Sequence, residues 1–347
     1  MTLRMSQPTV TSDWRDPSQG PAPADLPPVE APTAGFIVQL FVIPAVVVAV
    51  VIVVWLLFGK LAGGERDAMD YVRQLHSPSA NWRAAFELAS LIQNDPKLAR
   101  DPVLLGELTD LLEQDLAHGE NPELTRYVAL TLGAFQTLDA RLTKGRPVDP
   151  LATLASALGA GRPAGVRFAA AASLAKHAAR LDGRLDDAEA VRALGAASQD
   201  SNVELRQMAV YALGFFGGEA ASAILRERLN DEDRYVRYNA AIALGRLGDP
   251  AALGNLREML SPADLAKVIR LETKSETSHK IEAIELEALQ ALQTSVRRGK
   301  PGLARELRPS LVTLSRSGLV GVRNQAQELL RSGIFAEPEP PREGPAR

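Results

Sequence analysis

Four histidines, His76, His118, His177 and His279, are the side chains best suited to acid–base work or metal binding near neutral pH. Their spacing serves neither purpose. No H-E-x-x-H pair is present, and the chain has no cysteine to complete a zinc site or act as a thiolate. Each histidine is expected at the surface near a helix end. The stretch Gly159-Ala-Gly161-Arg-Pro-Ala-Gly165 is not spaced as G-x-G-x-x-G. No P-loop lysine follows it and no strand pattern precedes it, so it reads as a turn between helices. Asp186-Asp187 reads as a helix start, where the helix dipole favours negative charge. No G-x-S-x-G elbow occurs, and no nucleophile, base and orienting group fall together. The expectation is a non-catalytic chain with no catalytic, cofactor-binding or metal-ligating residues.

One group of residues points to binding instead. Arg234, Tyr235, Arg237 and Tyr238 open a helical stretch, and Arg226 and Arg228 lie shortly before it. Tyrosine and arginine are enriched where proteins grip one another. Arg234, Tyr235 and Tyr238 are therefore candidate partner-contacting residues. The competing reading makes the tyrosines ordinary packing and Arg237 part of an internal ion-pair array.

The elements that carry these residues repeat. Val236-Arg-Tyr-Asn-Ala-Ala-Ile-Ala-Leu-Gly245 has a counterpart in Leu205-Arg-Gln-Met-Ala-Val-Tyr-Ala-Leu-Gly214 and another in Val166-Arg-Phe-Ala-Ala-Ala-Ala-Ser-Leu-Ala175. Fainter copies cover 126–133, 84–89 and 322–330. A period of this size means a stacked array. Val236, Ala240, Ala243 and Leu244 fall on one helical face. Alanine at the crossings lets helices approach closely, and the glycine after the leucine is expected to cap the helix. Asp101-Pro102, Asn121-Pro122, Asp149-Pro150, Asp249-Pro250 and Ser261-Pro262 each pair an N-cap residue with proline at the first helical position. These marks predict short helices in seven hairpins, near 67–95, 102–140, 148–182, 186–217, 219–248, 250–298 and 302–333. The polar segment Glu272–Lys280 lengthens the sixth, as a loop or a solvated helix extension.

The blocks Asp200–Gly217 and Asp231–Gly248 resemble HEAT repeats, in particular the short repeats of the phycobilisome-lyase type. The resemblance is specific over these two blocks, moderate over 148–249 and weak at both ends. It implies an all-α solenoid of about seven hairpins. It also implies a ladder between repeats, in which an acid in the turn meets an arginine of the second helix. Asp200 with Arg206 and Asp231 with Arg237 have the six-residue spacing. No acid stands six residues before Arg167 or Arg323, so the ladder is expected to be partial. The same resemblance carries an alternative function, a tetrapyrrole lyase or isomerase. That alternative rests on the repeat and on no catalytic motif, and a pigment groove would call for more than the 5% aromatic residues present.

Phe36 to Phe58 is a run of 23 uncharged residues, interrupted only by Gln39 and Pro44. As a helix it would extend about 34 Å, enough for a hydrocarbon core of roughly 30 Å. It is too long for a signal-peptide core and is followed by no A-x-A site. The expected organisation is a Pro-rich arm over 1–35, a transmembrane helix over 36–58, a linker over 59–66, the solenoid over 67–334 and a tail over 335–347. The arm holds seven prolines and little that could form a core, so it is expected to be disordered, as is the tail. Lys60, Arg66 and Arg73 follow the span, whereas only Arg15 precedes it at similar range. The positive-inside rule then places the solenoid in the cytoplasm at the cell membrane. Net charge is −3, and with the four basic and seven acidic residues of the two tails set aside the body carries 35 of each. A neutral body argues against nucleic acid as a partner. The sum is a single-pass, membrane-tethered scaffold or adaptor for protein partners.

Overall fold

The computed structural model describes residues 43–62 and 67–335, apart from 78–79, 119–120 and 144. The chain divides between Glu65 and Arg66 into two units. In the first, one helix, α1, runs from Ile43 to Ala62. Its described side chains are Ala45, Val46 and Val48–Trp55. The expected span over 36–58 begins outside the described residues, as do the arm over 1–35 and residues 336–347 of the tail. Among the described residues no helix is long and apolar enough to cross a membrane. The expected linker at 59–66 is helical through Ala62, and the rest of it lies outside the described residues.

The second unit is all helix apart from turns, with one isolated bridge between Arg141 and Pro147 and no strand among the described residues. Seven hairpins follow in order, with second helices α3 (Trp82–Asn94), α5 (Pro122–Leu132), α7 (Ala164–Arg180), α9 (Val203–Leu213), α11 (Arg234–Leu247), α14 (Lys274–Arg297) and α17 (Val320–Arg331). Each packs on the next to form one continuous layer. The first helices form the other layer: α2 (Ala68–Leu75), α4 (Pro102–His118), α6 (Pro150–Ala157), α8 (Ala188–Ala197) and α10 (Gly218–Arg228) stack in sequence. The sixth hairpin breaks its first helix into α12 (Leu253–Met259) and α13 (Pro262–Val268), the seventh into α15 (Gly302–Glu306) and α16 (Arg308–Leu314).

Five Asx-Pro or Ser-Pro marks start helical turns. Asp149 Oδ1 accepts from the amides of Leu151 and Ala152, and Asp101 Oδ1 from Val103 and Leu104. Asn121, Asp249 and Ser261 cap in the same way. The 272–280 segment takes the helical option: Thr273 and Glu276 form a capping box that opens the 24-residue α14.

The core lies between the layers and is built from leucine and alanine. Leu88, Leu132, Leu174, Leu213, Leu244 and Leu292 are fully buried. Of the glycines after the repeat leucines, Gly214 caps α9 as expected, and Gly245 does not cap α11. Gly245 lies inside α11, and the left-handed cap is Gly248 (φ 70°). A Cβ on Gly214 would stand 2.8 Å from the Ala243 Cβ, so the missing side chain sets how closely α9 and α11 approach. Small hydroxyls knit the same layer: Ser173 donates to the Ala129 carbonyl at 2.7 Å and Thr131 to that of Ala85 at 3.1 Å.

Candidate functional site

Asp200 and Asp231 sit in the turns before α9 and α11, each folding its own turn by accepting an amide two residues on, from Asn202 and Asp233. Arg206 and Arg237 follow by six residues, and their guanidinium groups donate to backbone carbonyls of those same turns. Arg206 reaches Asp200 and Ser201, and Arg237 reaches Asp231 and Glu232. The ionic contact runs one repeat further than the spacing suggested. Arg167 binds the Asp200 carboxylate at 2.5 Å, and Arg206 binds Asp231 at 3.3 Å and Glu232 at 2.9 Å. Asp200 thus meets the arginine of the preceding hairpin, as Asp231 does. The amide of Asn202 and then Arg167 hold the Asp200 carboxyl below its ordinary range. Arg237 pairs with no carboxylate among the described residues. Arg167, Asp200, Arg206 and Asp231 thus join successive hairpins, and Arg237 braces its own turn.

The candidate partner-contacting group divides. Tyr238 is 2% exposed and donates to Glu258 Oε1 at 2.7 Å. Burial, then the hydrogen bond to Glu258, push its hydroxyl pKa up, so it stays protonated. A partner cannot reach it, and the expectation is corrected: Tyr238 belongs to the seam between hairpins five and six. Arg234 joins that seam, with Nε 3.9 Å from Glu258 and Nη1 donating to the Val268 carbonyl at 3.2 Å. Tyr235 alone keeps a partly open ring, with Lys280 Nζ 4.7 Å from its centroid. Arg226 is held by Glu219 and Asp249.

His177 also departs from expectation. It is fully buried, with Nε2 3.0 Å from the Leu132 carbonyl. Burial, and then the charge of Arg180, hold its pKa near about 4, so it is neutral and part of the core. His76, His118 and His279 are exposed. No group of three or more metal-ligating side chains converges among the described residues.

A different surface emerges on the open side of the second-helix layer. Trp82 of α3 stacks on Tyr127 of α5 at 4.9 Å. Arg83 lies over the Trp82 ring and Arg126 over the Tyr127 ring, both at 5.6 Å. Arg126 and Phe168 then wall one depression, and Phe168, Met208, Tyr211 and Asn239 a second of about 460 Å³. Tyr211 meets Phe215 edge-on at 5.0 Å, and Arg246 of α11 covers the Phe215 ring at 5.3 Å. The row crosses five hairpins. Tyr211 (45% exposed) is its most open ring. The repeat alignment hides it, because Phe168 stands two residues after its repeat's first core position and Tyr211 six. Only the stacking of α7 on α9 brings them together.

Three solved structures resemble parts of this chain. An engineered protein shares 17% identity, with 76% of this chain and 95% of that chain covered and a TM-score of 0.33. Escherichia coli YibA shares 16%, with 77% and 94% covered and a TM-score of 0.35. Human deoxyhypusine hydroxylase in complex with glycerol shares 17%, with 79% and 97% covered and a TM-score of 0.27. At such scores these likenesses carry nothing further for this chain. No curated protein matches it by sequence. The family model for HEAT repeats matches residues 175–237 and 195–272, a stretch that holds the Arg206–Asp231 contact and, of the aromatic row, Tyr211 and Phe215. In these central hairpins, then, the chain carries HEAT repeats.

Proposed function

We propose that this chain is a membrane-tethered, non-catalytic scaffold that binds partner proteins along the open face of its second helices. The observation that carries the reading is the row from Trp82 to Phe215, where large rings are left partly open across successive hairpins. A solenoid needs no such rings for its own core, and a broad aromatic surface is the kind that protein partners desolvate.

The tether rests on the uncharged run from Phe36 to Phe58. It is supported by the described part of α1, where Val46, Val48, Val50, Val51, Ile52, Val53, Val54 and Trp55 are all exposed. A helix apolar on every side requires an apolar surrounding. Lys60, Arg66 and Arg73 favour a cytoplasmic solenoid. Confinement at a bilayer raises the effective concentration of partners held at the same membrane.

A photo-crosslinking residue in place of Tyr211, in cells, tests the reading. Discrete adducts are expected there and not from the same residue at Glu189, an exposed position of the first-helix layer. The reading fails if the two positions give the same pattern.

A further inference from the structure

The depression of about 460 Å³ walled by Phe168, Met208, Tyr211 and Asn239 is completed by Glu204 and Gln207 of α9. Its polar groups are mostly acceptors. Gln207 Nε2 donates to Asp233 Oδ1 at 2.9 Å, and Asn239 Nδ2 to the Gln207 carbonyl at 3.2 Å. A carboxylate and a carbonyl can only accept, so both amide nitrogens are committed and the amide oxygens remain. Neither oxygen accepts a hydrogen bond from a described residue. The Glu204 side chain is exposed and forms no hydrogen bond or ion pair with one. Other carboxylates near the row are occupied. Asp233 holds Gln207 and caps α11, and Glu287 acts on Arg246. Arg126 shares the neighbouring depression with Glu204 without pairing to it. A carboxylate, two amide oxygens and the rings of Phe168 and Tyr211 are thus left to an occupant.

That set suits a cation that is flat and rich in donors. A guanidinium carries five N–H donors in one plane, pairs with a carboxylate and stacks on aromatic faces. An ammonium gathers three donors at a point and is more strongly hydrated, so it serves rings and amide oxygens together less well. An apolar side chain would cover the Glu204 carboxylate without pairing it. Taking the scaffold reading as its basis, we infer that this depression receives an arginine side chain of the partner protein. The guanidinium meets the Glu204 carboxylate and the amide oxygens of Gln207 and Asn239, and its plane lies on the ring of Tyr211.

The test uses the full chain in detergent micelles and three small probes: the Nα-acetyl amides of arginine, of citrulline, which is its uncharged isostere, and of lysine. Saturation-transfer NMR titrations are expected to show saturable binding of the arginine probe, about ten-fold tighter than citrulline and about three-fold or more tighter than lysine. Glu204→Gln and Tyr211→Leu are each expected to weaken the arginine probe about five-fold or more, with unchanged helical circular dichroism. Glu189→Gln, on the first-helix layer, is expected to leave it unchanged. Arginine bound no better than citrulline, or an affinity indifferent to both Glu204→Gln and Tyr211→Leu, overturns the proposal. Lysine bound as tightly as arginine overturns the choice of a guanidinium. The crosslink at Tyr211 separates this inference from the reading beneath it. Adducts in cells without arginine binding would reject the ligand chemistry alone. Arginine binding without protein adducts would make the occupant a small guanidinium compound and overturn the assignment to a partner, and loss of both would reject the scaffold as well.

Discussion

At Asp231 one side chain shapes its own turn and also holds the arginine of the preceding hairpin. Its side chain is 6% exposed, and that of Arg206 9%. Arg206→Ala would leave the Asp231 carboxylate buried with its guanidinium partner gone, and should cost about 3 kcal/mol. Arg237→Ala removes only donors to two carbonyls and should cost about 1 kcal/mol. Urea unfolding of the 67–347 fragment separates the two, and equal losses would deny that the ionic contact runs between hairpins. Glu285 gives a pH signature. It is 1% exposed, and neither oxygen has a hydrogen-bond partner among the described residues. Burial, and then the charge of Glu282, lift its pKa from 4.5 to about 7. The folded protein thus keeps a proton that the unfolded chain has already lost, so stability falls as pH rises from 4.5 to about 7 and is level above. Glu285→Gln should match the parent near pH 4 and exceed it by roughly 1–3 kcal/mol near pH 8. A variant equally stable at both ends would show that the carboxyl is solvated. Such facts were closed to sequence reading. The six-residue spacing marks Asp200 and Arg206 as related, but which hairpin each charge meets is settled by stacking. Tyr238 looks like a surface anchor until α12 brings Glu258 to its hydroxyl.

The elements were far more legible. Helix starts are written in short polar caps followed by proline, and core faces in the Val/Leu, Ala and Leu spacing of three helices. These are local signals, set by backbone donors and by the helical repeat, so they need no knowledge of neighbours. The cap expectation holds at Gly214 and fails at Gly245, where α11 runs on to Gly248; that Gly214 is also a close-approach point shows only in the α9–α11 contact. Gly214→Ala should destabilise by about 1–3 kcal/mol despite its better helix propensity. Ala243→Gly in the same chain should recover part of that loss, and no recovery would place the strain elsewhere. Leu244→Ala, at a fully buried site of α11, should cost about 2–5 kcal/mol in the same assay.

For the whole molecule, the two layers leave one broad side of the second helices open, and the rings on it come from non-equivalent repeat positions. That is why a search for a repeated motif passes over them, and why the Arg234–Tyr238 cluster drew attention first. In the proposed reading the solenoid supplies the binding surface and the apolar run holds it at a membrane. The tether is the claim on which the functional account turns. The chain has no native cysteine, so Ser332→Cys, at an exposed position after α17, can be labelled without background. Cells expressing this variant are treated with a membrane-impermeant maleimide before and after permeabilisation, and their membranes are then washed with alkaline carbonate. The account predicts a chain retained in the washed membrane, protected in intact cells and labelled once they are opened. Recovery of the chain in the carbonate wash would contradict the tether, and labelling in intact cells would contradict a cytoplasmic solenoid.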